Sequence, residues 1–197
     1  MVQVESSHRP LHTSLPNLLT YGRIAAVPAL VACLYFLEGD FARWSALALF
    51  VAAGITDWLD GHLARMWQQQ STLGRMLDPI ADKLLVGATL IMLVRDGTLG
   101  GVAVWAAIIV MCREILVSGL REFLAELNVK IHVTQLAKWK TAMQMVALGV
   151  LITGEAGEKV VPGITLVGLA LFWLAAILTL WTGYDYLRAG VIHAMQR

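Results

Sequence analysis

Charge is scarce in this chain. Lys, Arg, Asp and Glu make up 15% of its 197 residues, where a soluble domain would carry about 25%. With 58% hydrophobic residues and a mean hydropathy of +0.68, the composition excludes an ordinary soluble globule. It calls instead for an all-α polytopic membrane protein. The formal net charge is only +1, so no basic stripe exists to neutralise phosphates, and nucleic acid is excluded as a partner. Cysteine is down to Cys33 and Cys112. Both fall in apolar runs, with neither a disulfide framework nor zinc-ligand spacing, and they read as packing residues with free thiols. The first sixteen residues lack the charged-then-apolar order of a cleavable leader, so the first apolar run is expected to be retained. No internal repeat is visible.

Six stretches supply or approach the roughly 20 apolar residues that a bilayer core needs per helix: 17–37, 44–66, 73–94, 99–123, 137–153 and 161–187. The expected organisation is an amino-terminal arm over 1–16, a six-helix transmembrane domain over 17–187, and a tail over 188–197. Three short connections, 38–43, 95–98 and 154–160, hold only Arg43, Arg95 and Lys159 among the fifteen Lys and Arg residues. Basic residues mark the cytoplasmic side, which places both termini and the 2–3 and 4–5 connections there. Trp44, Trp105, Trp139, Trp173 and Trp181 lie mostly near span ends and read as interface anchors or lipid-facing bulk.

Against this sparse background, residues 57–82 read DWLDGHLARMWQQQSTLGRMLDPIAD. Asp57 and Asp60 are three apart, Asp78 and Asp82 four apart, so on helices each pair shares a face. Carboxylates at the rim of a bilayer cost several kcal/mol unless paired or bound to cations. Four that converge repel one another and demand a compensating divalent ion. Pro79 allows two geometries: Asp78 capping a helix that starts at Pro79, or a kinked helix already running from about Leu73. The second is favoured because 79–94 alone is too short to cross.

The pattern D-x2-D-G-x2-A-R-x8-G-x3-D-x3-D, from Asp57 to Asp82, resembles the defining motif of the CDP-alcohol phosphotransferases in every fixed position. That resemblance implies an integral membrane enzyme that displaces CMP from a CDP-activated lipid. It also implies that Asp57, Asp60, Asp78 and Asp82 ligate two Mg2+ ions, with Mn2+ an acceptable substitute, and that Asp82 doubles as the base toward the acceptor hydroxyl. Two such ions would clamp the phosphates of a diphosphate. Gly61 and Gly74 would let the nucleotide approach the backbone, with close helix packing as the alternative. Arg65 can fork onto a phosphate, Ser71 or Thr72 offers a hydroxyl nearby, and Asn17 is implied as a further nucleotide contact.

Segments outside the motif bear on the acceptor. Asn17–Arg23, Arg113–Arg121 and Lys138–Gln144 are similar to the branch of the family that uses sn-glycerol 3-phosphate. That branch implies CDP-diacylglycerol as donor, the cell inner membrane as location, membrane lipids as surroundings and a homodimer. Arg113 interrupts an apolar run and needs a partner there; Arg121 lies two turns on, about 80° around the helix, so both could border one anion pocket. Lys138 and Lys140, about 200° apart, cannot both face inward, and Lys138 is favoured. Ion pairing of Arg113 with Glu114 or Glu122 remains open, as do other acceptors (serine, inositol phosphate, phosphatidylglycerol). A divalent-cation transporter and a prenyltransferase are the competing classes; neither requires Gly61, Ala64-Arg65 and Gly74 in fixed phase with the aspartates.

Overall fold

The computed structural model describes residues 15–67, 72–126 and 135–195, with some side chains inside those ranges also outside the description. Six helices follow in order: α1 Leu15–Phe36, α2 Gly39–Trp67, α3 Thr72–Arg95, α4 Ala103–Glu126, α5 Gln135–Val160 and α6 Ile164–Met195. By length and apolar character, three of them contain segments able to cross a membrane: Leu18–Phe36, Ala103–Ala125 and Ile164–Tyr184. Helix α1 packs on α2 and α3, α6 packs on α5 and α4, and the two groups meet chiefly along α2 and α5.

Small residues let the helices approach closely, since an alanine brings backbones together where a leucine would hold them apart. Ala46, Ala106 and Ala147 are fully buried between Leu30, Leu85, Leu93, Leu148 and Phe172. Large apolar side chains meanwhile face outward all round the bundle, among them Ile91, Trp105, Leu166 and Trp181. An apolar exterior over an apolar core is what lipid surroundings permit. Trp44, Trp105, Trp139 and Trp181 are exposed as expected, whereas Trp173 packs partly against the core. Cys33 and Cys112 are free thiols.

Several boundaries depart from the sequence expectation. Helix α4 starts at Ala103, because Gly97 and Gly101 adopt left-handed φ of 80° and 54° in the turn before it. Residues 155–160, expected as connection, continue as helix after a break at Gly154 (φ 48°, ψ −130°). A Cβ at Gly154 would lie 3.0 Å from the Arg43 guanidinium carbon, so a side chain here would strain the backbone and require Arg43 to shift. Residues 188–195, expected as tail, prolong α6. Pro79 lies inside α3, as favoured from the sequence, so Asp78 does not cap a helix.

One end of the bundle is neutralised pair by pair. Arg43 bonds Asp96 at 2.6 Å, Lys159 bonds Asp40 at 2.5 Å, and the Arg95 guanidinium lies 4.1 Å over the Tyr35 ring. At the same end Glu158 accepts the Gly163 and Thr165 N–H groups at 2.7 and 2.9 Å, satisfying donors at the start of α6 that have no partner within the helix. These two bonds hold the Glu158 carboxyl below its usual range. The aspartates gather toward the opposite end.

Candidate active site

Two carboxylates of the aspartate motif are held by α1. Thr20 and Arg23 are three residues apart and share a face of that helix, and both are buried. The Thr20 hydroxyl donates to Asp78 Oδ1 at 2.8 Å, and the Arg23 guanidinium is ion-paired with Asp57. An arginine at 1% exposure is tolerable only against an opposite charge. Asp57 supplies it while leaving its own side chain half exposed toward the cavity.

Asp82 is the junction of the site, because it lines three cavities at once. The first is an apolar groove of about 580 Å³ that begins at Arg23, Asp57 and Asp82 and runs between α2 and α5 to Leu47 and Thr153. Gly54 and Gly149 line it, and a Cβ on Gly149 would meet Leu47 Cδ1 at 3.6 Å. The second is a polar pocket of about 340 Å³ where Asp57, Asp78 and Asp82 face Arg113 and Arg121. The third is a small chamber of about 40 Å³ on the α4–α5 side. A long apolar groove opening onto a polar pocket suits a ligand with apolar chains and a charged head.

The cations on α4 divide into two kinds. Arg113 is 9% exposed; its Nε donates to the Thr179 carbonyl at 3.1 Å and its NH2 to the Thr182 hydroxyl at 2.9 Å, tying α4 to α6. Its NH1 reaches Glu114 Oε1 at 3.4 Å, so the Glu114 pairing left open by the sequence is present alongside the pocket-lining position. Arg121 is exposed at the mouth of the same pocket. On α5 the inward position assigned to Lys138 goes to Lys140, which is buried and ion-paired with Glu114. The signal lies in the phase of α5: Lys140, Gln144, Ala147, Leu148 and Leu151 recur at helical spacing and are all buried.

Among the described residues no group of three or more His, Cys, Asp or Glu is arranged to hold a metal ion. Asp57, Asp78 and Asp82 share the polar pocket, while the Asp60 side chain lies outside the described residues. Gly74 is buried in α3. Asn17, Gly61, Arg65 and Lys138 belong to helices, but their surroundings fall outside the description, as does Ser71 altogether. Sequence reasoning gave no individual role to Thr20, Arg23, Lys140 or Gln144. For Arg23 the signal was available, since it is an arginine inside an apolar span three residues from a hydroxyl.

A family model described as CDP-alcohol phosphatidyltransferase matches residues 13–181. The chain is 45% identical over 176 residues to a Rickettsia bellii protein named CDP-diacylglycerol–glycerol-3-phosphate 3-phosphatidyltransferase, covering 89% of this chain and 94% of that one. A Cereibacter sphaeroides protein of the same name is 37% identical, over 90% of this chain and 96% of its own. A rice cardiolipin synthase (CMP-forming) is 40% identical over 91% of this chain and 58% of its own length.

Proposed function

The chain belongs to the CDP-alcohol phosphatidyltransferase family, and on that premise we propose that it transfers the phosphatidyl group of CDP-diacylglycerol to sn-glycerol 3-phosphate, giving phosphatidylglycerophosphate and CMP in phospholipid synthesis. The observation that carries this reading is the apolar groove meeting the polar pocket at Asp57 and Asp82. Two acyl chains need the first and a diphosphate needs the second. The matching names of relatives that cover nearly the whole chain support the acceptor.

In the reaction, an acceptor hydroxyl oxygen forms a bond to the phosphatidyl phosphorus while the bond from that phosphorus to the CMP oxygen breaks. Asp82 takes the hydroxyl proton at its carboxylate. Arg121, and Arg113 where it borders the pocket, counter the acceptor's phosphate. Arg23 fixes Asp57, and Thr20 fixes Asp78, so neither carboxylate must reorganise as charge develops. The donor set suits a hard divalent ion, because its oxygens come from carboxylates on two helices facing one pocket. Asp57, Asp60, Asp78 and Asp82 would hold two Mg2+ ions, which supply charge neutralisation to the phosphoryl oxygens.

The same proposal sets all six helices across the cell inner membrane, with the termini and the aspartates on the cytoplasmic side, as a homodimer. Its support is that only Arg43, Arg95 and Lys159 of the fifteen Lys and Arg residues fall in the three short connections of the opposite end. The test uses purified protein, CDP-diacylglycerol, Mg2+ and a panel of glycerol 3-phosphate, phosphatidylglycerol, inositol phosphate and serine. CMP release that depends on Mg2+ and on glycerol 3-phosphate is expected. Release with phosphatidylglycerol in its place would move the chain to cardiolipin synthesis, and no release with any alcohol would end the reading.

A further inference from the structure

The small chamber beside Asp82 contains a buried group with no bonding partner among the described residues. Gln144 is 3% exposed, and its Oε1 meets no donor among the described residues. Leaving a buried amide oxygen unpaired costs about 1–3 kcal/mol, so such an atom calls for a ligand or a water. The chamber around it, about 40 Å³, is bordered by Asp82, Lys83, Glu114, Thr141 and Gln144. Asp82, Lys83 and Glu114 also line the polar pocket, so the two spaces adjoin at the base itself. The volume admits a hydroxyl on a carbon but no phosphate or headgroup.

Neighbouring residues do not fill the need. Lys140 is paired with Glu114 Oε1, Arg113 is bonded chiefly to Thr179 and Thr182 on α6, and Lys83 donates to the Pro79 carbonyl at 2.8 Å within its own helix. What fits is a group that both donates and accepts, which matches the Gln144 amide in either orientation of its oxygen and nitrogen. A hydroxyl does this.

We propose that Gln144 is a specificity-determining residue whose chamber receives the second hydroxyl of the alcohol acceptor, the one vicinal to the hydroxyl that Asp82 deprotonates. The inference rests on the glycerol 3-phosphate reading. A vicinal oxygen stands within about 3 Å of the reacting one, so a hydroxyl seated on Gln144 fixes the rotation of the glycerol carbon chain and aims the reacting oxygen. Arg121 counters the phosphate at the far end, and the acceptor is then located at three points. A site built to bond a hydroxyl strongly rejects the analogue lacking it, because its own polar atom is left bare.

The test compares glycerol 3-phosphate with 3-hydroxypropyl phosphate, which lacks only the second hydroxyl, at saturating CDP-diacylglycerol and Mg2+. Wild-type protein is expected to favour glycerol 3-phosphate on the order of 100-fold in kcat/KM. Gln144→Met, close in volume and without the amide, is expected to narrow that preference to about threefold by losing activity with glycerol 3-phosphate alone. Wild-type use of both alcohols within about threefold overturns the proposal without any variant being made. Equal loss of both acceptors in Gln144→Met overturns it too, and assigns the chamber to a water or to packing. CMP release that requires neither alcohol, or no release at all, defeats the parent reading instead and removes this one with it.

Discussion

Replacing Arg113 by alanine separates two roles that the sequence could not. In the structure its guanidinium makes two good bonds to α6, at 3.1 and 2.9 Å, and a long one to Glu114 at 3.4 Å. Bonds from a charged donor are worth about 1.5–3 kcal/mol each, and the third lies at the edge of useful geometry. The partners are not left bare, since the Thr182 hydroxyl also bonds the Leu178 carbonyl and Glu114 keeps Lys140. That puts the loss at the lower end, about 3 kcal/mol. For a chain of this length each kcal/mol moves Tm by about 2–4 °C, so Arg113→Ala should melt about 6–12 °C lower. Arg121 is exposed; Arg121→Ala should stay within about 0.5 kcal/mol of the parent in stability, yet lose about tenfold to hundredfold in glycerol 3-phosphate kcat/KM. Tryptophan fluorescence melts in detergent, run beside acceptor titrations at saturating CDP-diacylglycerol, read both quantities. An Arg113→Ala protein that melts with the parent but needs far more acceptor refutes the bracing argument and returns this arginine wholly to the ligand.

Four further outcomes are expected. Asp57→Asn and Asp78→Asn should each abolish CMP release at any workable Mg2+ concentration, because asparagine keeps the shape and loses the charge a hard cation needs; near-parental turnover in either removes that residue from the metal site. In a background without Cys33 and Cys112, a cysteine at Glu155 should react with an impermeant thiol reagent added to intact cells and one at Met66 should not, the reverse pattern inverting the proposed topology. Gly149→Leu should fill the groove against Leu47 and Phe50 and raise KM for long-chain CDP-diacylglycerol more than for a short-chain form; equal effects on both would take the chains elsewhere. Glu158 has a depressed carboxyl pKa, so its contribution to stability is full above the ordinary glutamate pKa of about 4.3 and fades as pH falls through the lower folded value. The Tm gap between parent and Glu158→Gln should therefore be present at pH 7 and close in acid, and a gap independent of pH would argue against the capping role.

The helices were legible because each carries one long apolar run, and the aspartates because charge is rare enough among those runs to stand out. Boundaries failed where composition and conformation diverge. Residues 154–160 contain two glycines, two glutamates and a lysine, which reads as loop, yet one left-handed glycine lets the chain break and resume its helix. The support of the aspartates by Thr20 and Arg23 was hidden because it joins residues more than thirty positions apart, and spacing within one helix says nothing about which face another helix meets. The choice between Lys138 and Lys140 failed for a related reason. A 200° separation states that one is inward, while only the phase of the buried stripe through Gln144, Leu148 and Leu151 states which.

The support of these charges also divides the molecule. Asp57 and Asp78 are each held by a residue of α1 in the first half of the chain, and Arg113 is tied to α6 in the second. The proposed site therefore lies across a seam between two trios of helices, with Asp82 as the hinge post common to all its spaces. On the proposed reading, the α4 side chains that border the polar pocket can change, and with them the alcohol that is chosen, while the contacts of α1 with Asp57 and Asp78 stay in register. On the proposed reading, a bundle built this way exchanges its acceptor by a few substitutions on one side of the seam.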